Sequence, residues 1–293
     1  MGGRWSLVQI QSPRPFLCSA PGQPRPMLAC LGYLTADLAV RLLPVGPADR
    51  LARGLARLAF AVRPPARRRL EANLAQWRPG MSAAARRATA REAFEHFALS
   101  LADSLRLARL APAALERAIE VRGREHLEHA RASGRGVILL SAHAGNWEWG
   151  AAWLASHGPP LHVVARPHPD RRVDRRFHRL RRARGVGMLP GRLLWTGASR
   201  ALRRREWVAL MADRRGALGP VCPWAALLAR RTGALVLPAL MLRLAPGRYA
   251  ACFGAPLSAE ACAAGGYRDA MRPHFDRHPG QWFAFEPLPE GLL

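Results

Sequence analysis

The chain has 293 residues, 49% of them apolar, and a formal charge of +25. That length allows one large domain or two small ones, and that apolar content excludes global disorder. Every basic residue is arginine and lysine is absent. A nucleic-acid binder ordinarily uses both, so the charge reads as coding bias, yet it still draws the surface toward anionic lipid, nucleic acid or an acidic carrier protein.

Residues 1–26 are proline-rich and aperiodic, as in a disordered leader or upstream extension, and lack the continuous apolar segment of a cleaved signal peptide. Met27–Leu43 is apolar apart from Thr35, Asp37 and Arg41. With Asp37 in its middle it fits an amphipathic or shallow membrane helix better than a full span, and an ordinary core helix is the alternative. Residues 48–62 place Leu51, Leu55 and Leu58 on one helical face, and Pro64-Pro65 ends that helix. A helix over 66–76 follows. Ser82 is the expected N-cap of a longer one that reaches Leu107 with Phe94, Phe97, Leu101 and Leu105 on its apolar side. Pro112 opens one more, so residues 27–120 are expected to be a helical region.

The period then changes. Val137–Ala142, Leu161–Ala165, Trp207–Ala212, Leu235–Leu242 and Tyr249–Phe253 are short apolar runs bounded by Gly, Pro or charge and read as strands. Helical patterns over 146–156, 174–184, 196–205 and 224–231 separate most of them, the last with a C-cap at Gly233. This alternation predicts an α/β fold over 121–293, a mainly parallel sheet flanked by helices, with 27–293 forming one domain. The predicted strands end at His143, Arg166 and Asp213. In open α/β sheets ligands bind beyond the carboxyl ends of the strands, so a base, a cation and a carboxylate are expected on one edge.

Gly136–Glu148 carries the most chemistry. A buried strand stops at His143, Ala144-Gly145 permits a turn, Asn146 can cap the next helix, and Glu148 lies in its first turn. Residues five apart on one helix do not face each other, so His143 can serve beside Glu148 only from outside that helix. Ser141, His143 and Asp213 invite a hydrolase-triad reading, but no Gly-x-Ser-x-Gly elbow surrounds Ser141. The five cysteines have no metal-ligand spacing, and free thiols in a reducing compartment are expected. The arginine run 171–184 reads as a solvated face, or as a docking face for anionic membrane or an acidic carrier protein.

The His-x4-Glu pattern of Ser141-Ala-His143-Ala-Gly-Asn146-Trp147-Glu148 resembles the signature of the late acyltransferases of lipid A biosynthesis, within the wider glycerolipid-acyltransferase-like fold. Asn73-Leu74, Val164–Pro167, Arg184-Gly185, Met211–Asp213, Leu228–Pro238 and Pro279–Phe283 agree with the family's blocks in order, from about Met27 to Pro287. The chain departs from the pattern after Asp213, where Arg214-Arg215 replaces a glutamine and a Gly- and Phe-rich loop is shortened or absent. The resemblance implies an O-acyltransferase moving a fatty acyl group from an acyl thioester to a hydroxyl of a lipid A precursor or related glycolipid. His143 would be the general base and Glu148 would hold its tautomer, with Arg166, Arg184, Asp213 and Asn146 supporting substrate or transition state. It implies no cofactor or metal, a donor on acyl carrier protein or coenzyme A, and a place at the cytoplasmic face of a bacterial inner membrane, peripheral or through one N-terminal anchor. No nucleic-acid partner is expected. A thioesterase-like hydrolase on the same site and a non-catalytic basic membrane module are the alternatives.

Overall fold

Val137-Ile-Leu-Leu is apolar at consecutive positions, which a strand sustains only where both of its faces are covered. The computed structural model, which describes residues 26–165, 167–168, 170–190, 194–216 and 219–288, covers them with two helical layers. Helices α1 (Pro26–Leu42), α2 (Val45–Val62), α3 (Pro64–Trp77), α4 (Ala83–Leu107) and α5 (Pro112–Arg117) come first. The main sheet contains β1 (Ile119–Arg122), β2 (Val137–Ser141), β3 (Leu161–Ala165), β4 (Val186–Pro190) and β5 (Trp207–Met211). A small hairpin, β6 (Arg215–Gly216) with β7 (Gly219–Pro220), follows, and β8 (Leu235–Ala245) and β9 (Arg248–Phe253) complete the sheet. Helices α6 (Arg124–Ala132), α7 (Trp147–Ala155), α8 (Arg171–Ala183), α9 (Leu194–Arg203), α10 (Val221–Thr232), α11 (Ala259–Ala263) and α12 (Gly266–Arg277) fill the connections.

The sheet order is β1-β9-β8-β2-β5-β3-β4, parallel throughout except for the β8–β9 hairpin. The expected α/β class is therefore correct, and its predicted strands are all present. Strand alternation divides the core. Ile138, Leu140, Val208 and Leu210 pack with Leu70, Leu74, Ala198 and Leu228 from α3, α9 and α10. Val137, Leu139, Trp207 and Leu237 pack with Leu115, Leu127 and Trp153 from α5, α6 and α7.

Two edge strands escape sequence patterning. The helical region ends before residue 120, because Ile119–Arg122 adds to the sheet beside β9. With only four residues, half of them charged, β1 lacks an apolar run to announce it. The other edge, β4, is interrupted by Gly187 and ends in Pro190. The leader expected over residues 1–26 lies outside the described residues, save Pro26, which opens α1.

A buried ionic cluster fixes the helical region to the sheet. Arg243 of β8 donates to Asp103 of α4 and Asp49 of α2, each at 3.1 Å. Arg106 pairs with the same two carboxylates at 2.6 and 2.8 Å. Tyr249 of β9 donates to Asp103 at 2.5 Å. The buried Arg243 and the half-buried Arg106 thus answer two buried carboxylates, which is the condition for burying them.

Candidate active site

Register brings the site together. Ser141 of β2 lies opposite Met211 of β5, and His143 and Asp213 each stand two residues beyond that pair. Asp213 is 2% exposed. Its Oδ1 accepts from the His143 ring at Nδ1 (2.8 Å), and its Oδ2 accepts from the His143 backbone N–H (2.9 Å) and the Trp282 indole (3.1 Å). These donors make it a well-satisfied buried carboxylate.

The turn that carries His143 is held on both sides. Phe283 N–H donates to the His143 carbonyl, Gly145 N–H donates to Gln281, and Asn146 N–H donates to Met241. Gly145 has φ of 53°, and a Cβ there would sit 1.7 Å from the Met241 carbonyl oxygen, so only glycine fits. The helix then begins at Trp147. His143 stands outside it, as a role beside Glu148 required.

Glu148 nevertheless does not orient His143. Its carboxylate is bound by Arg181 of α8, Nη2 to Oε1 at 2.5 Å and Nε to Oε2 at 3.0 Å, and by the Trp147 indole at 3.2 Å. The partner of His143 Nδ1 is Asp213, because neighbouring strand ends converge whereas Glu148 projects from the helix toward α8. Glu148, Arg181 and His143 all border the same cavity. Arg181 is the residue sequence reasoning missed. It lies within the arginine run, most of which is exposed, but Val173, Phe177 and Arg181 recur every four residues and face inward. That spacing was the available signal.

Two other expected site residues have structural roles. Asn146 caps α7 and is buried, its Oδ1 accepting from Trp149 N–H and Ser104, its Nδ2 donating to the Ser100 carbonyl and Tyr249. It does not border the cavity. Arg184 donates to the carbonyls of Leu107, the last residue of α4, and of Leu110 just beyond it, where a cation suits the helix C-terminus. Arg166 lies outside the described residues, directly after β3, whose carboxyl end is on the same edge as those of β2 and β5. Ser141 borders the cavity but makes no side-chain hydrogen bond to His143, and no strained elbow presents it.

The cavity measures about 410 Å³. Its polar wall includes Ser141, His143, Trp147, Glu148, Arg181 and Arg214, with Glu286 beside Arg214. Its apolar wall includes Leu139, Val163, Ala209 and Ala251 from the sheet and Gly150, Ala151 and Leu154 from α7. Small side chains at 150, 151, 209 and 251 leave the space under α7 open.

Electrostatics suit proton removal. Burial pushes the His143 imidazole below its ordinary 6.5, the Arg214 cation adds to this, and Asp213 opposes both. For Asp213, burial acts upward but is outweighed by the His143 donors and Arg214, so its carboxyl stays below the ordinary 3.8. At neutral pH the pair is an aspartate and a neutral imidazole. With Nδ1–H donated to Asp213, Nε2 keeps a lone pair, and the 17% of the His143 side chain that is exposed makes it reachable.

A strand-end histidine backed by a buried aspartate, beside an apolar cavity in an α/β sheet, has the geometry that general-base chemistry on a ligand with a large apolar part requires. Residues 23–287 match the family described as bacterial lipid A biosynthesis acyltransferase, and the chain belongs to that family. It is also similar to two curated phosphatidylinositol mannoside acyltransferases. With that of Mycobacterium tuberculosis (strain ATCC 25618 / H37Rv) it shares 35% identity over 97 residues, 31% of this chain and 30% of the relative. With that of Mycolicibacterium smegmatis (strain ATCC 700084 / mc(2)155) it shares 35% over 66 residues, 22% of each chain. The matched segments span less than a third of either relative.

Proposed function

We propose that the protein transfers a fatty acyl group from an acyl thioester, on coenzyme A or acyl carrier protein, to a hydroxyl of a sugar-bearing lipid at the cytoplasmic face of a bacterial membrane. The observation that carries this is the His143–Asp213 pair beside an apolar cavity, in a chain of this family. His143 Nε2 takes the acceptor hydroxyl proton as the oxygen attacks the thioester carbonyl. The carbon–sulfur bond breaks, and the leaving thiolate recovers the proton from the imidazolium. Asp213 fixes the tautomer and stabilises that imidazolium. The acyl chain lies under α7. Glu148 and Arg181 hold each other at the polar wall and position the acceptor.

The names of the curated relatives and of the family both favour a glycolipid acceptor, either a mannosylated phosphatidylinositol or a lipid A precursor. The test supplies the purified protein with acyl-coenzyme A or acyl carrier protein and each acceptor, and follows the product by mass spectrometry. Acylated lipid from wild type and none from His143→Ala, with the variant folded, is the expected result. Undiminished transfer by His143→Ala, or thioester hydrolysis that no acceptor diverts, would overturn it.

A further inference from the structure

Among the described residues Cys222, Cys252 and Cys262 are free thiols. Cys222 is the second residue of α10 and half-buried, and Cys262 is buried in α11. They are 40 positions apart, yet the fold sets them face to face. The Cys262 thiol donates to the Cys222 carbonyl at 3.5 Å, and the Cys222 thiol donates to the Cys262 sulfur. The Arg230–Glu260 pair, at 2.9 Å, joins the same two helices. Cys252 is a contrast. It is buried in β9, its sulfur meets the Ala250 carbonyl of its own strand at 3.9 Å, and burial pushes its thiol up to about 11.

The pair sits behind the catalytic wall. Val221 and Trp224, on either side of Cys222 in α10, border the cavity, and so does Arg214, which leads into the hairpin before α10. Neither cysteine borders it. Tyr267 of α12 connects the two places. Its ring is fully buried in the same apolar cluster as Trp224 and Cys262, and its hydroxyl has no hydrogen-bond partner among the described residues. Burial, and after it the nearness of Asp213 and Cys222, push its phenol well above the ordinary 10.0.

We propose that Cys222 and Cys262 are an oxidation site, a disulfide-forming pair through which a peroxide reshapes the cavity wall. Cys222, the member that solvent reaches, attacks hydrogen peroxide as its thiolate. The oxygen–oxygen bond breaks, one hydroxyl stays on Cys222 as a sulfenic acid, and the other takes the thiol proton and leaves as water. The Cys262 sulfur then displaces the sulfenic oxygen, which takes the Cys262 proton and leaves as a second water. The two sulfurs lose two electrons and the peroxide gains them. A dithiol reductant reverses the step by exchange. Bond formation draws the sulfurs from contact to bonding distance. Cys222 lies in the first turn of α10, directly after a two-residue strand, whereas Cys262 is 0% exposed. The start of α10 therefore gives way and carries Val221 and Trp224 with it. The effect on turnover rests on the acyl-transfer reading; the disulfide does not.

The test treats the full chain with hydrogen peroxide, maps disulfides by peptide mass spectrometry, and follows acyl transfer and amide hydrogen exchange in α10. Wild type should form the Cys222–Cys262 disulfide and leave Cys252 reduced. Acyl transfer should fall about tenfold to a hundredfold, as for a shift of about 1 Å beside reacting groups, and dithiothreitol should restore it. Exchange at the start of α10 should change on oxidation. Cys222→Ser and Cys262→Ala should each keep the activity of the reduced protein and lose the response. A disulfide that instead joins Cys18 or Cys30, or none at all, would overturn the proposal. So would a Cys222–Cys262 disulfide that leaves transfer by the active protein unchanged, one that leaves exchange in α10 unchanged, or inhibition that persists in both variants. If the mapped disulfide alters exchange in α10 but the reduced protein transfers no acyl group, the catalytic reading fails and the oxidation site stands.

Discussion

Asp213 holds His143 twice, at the ring through Nδ1 and at the backbone N–H, at 2.8 and 2.9 Å. One carboxylate therefore sets both the tautomer of the imidazole and the path of the chain that carries it. Asp213→Asn keeps the shape but can present an amide N–H to Nδ1, which selects the wrong tautomer. Acyl transfer should fall about 10²- to 10⁴-fold with little change in KM. Steady-state kinetics on the folded variant would check this, and a loss confined to KM would contradict it.

The pH dependence follows from the same pair. The folded-state pKa of His143 lies below 6.5, so the active neutral form persists until the pH falls below that value. The acid limb of kcat/KM should lie under 6.5. Arg214 disfavours the imidazolium, so Arg214→Gln should raise the His143 pKa and move the acid limb to higher pH. Glu148→Gln should reduce activity without moving that limb, because Glu148 is held by Arg181. Three pH–rate profiles separate these outcomes.

Gly145→Ala should be severe despite adding a single methyl. The residue has positive φ, and the new Cβ would meet the Met241 carbonyl oxygen. Unfolding in urea should show a loss of about 3 kcal/mol or more, with the His143 turn displaced.

Arg243→Met leaves Asp49 and Asp103 sharing Arg106 alone in a buried setting. Removing one partner of such a cluster costs about 3–5 kcal/mol, so the protein should unfold at markedly lower denaturant. Asp103→Asn tests the same cluster from the carboxylate side.

Ala209→Phe should shorten the acyl chain the protein accepts. Ala209 lines the cavity opposite Leu139 and Val163 in the strand register. Each methylene excluded from apolar burial costs about 0.8 kcal/mol, so kcat/KM for long donors should fall while short donors are spared. A donor-length series with wild type and variant reads this directly.

The sequence by itself determined the interior strands, the helices around them and the strand–turn–helix at His143. These rest on local physics: apolar runs, proline and glycine stops, and an Asn cap act within a few residues. It also placed Asp213 at a strand end, and the ordered blocks from Met27 to Pro287 pointed to the family that the chain matches over residues 23–287. Only the tertiary structure decided which carboxylate serves His143. The choice depends on β2 pairing with β5, a contact between residues 70 positions apart, while Glu148, five residues away, is turned toward Arg181 by its helix. The same holds for Leu51, Leu55 and Leu58 of α2, which stand exposed. Periodicity defines an apolar face whichever way it points, and only packing through Ala56 and Phe60, with Asp49 anchored to Arg243, turns that face outward.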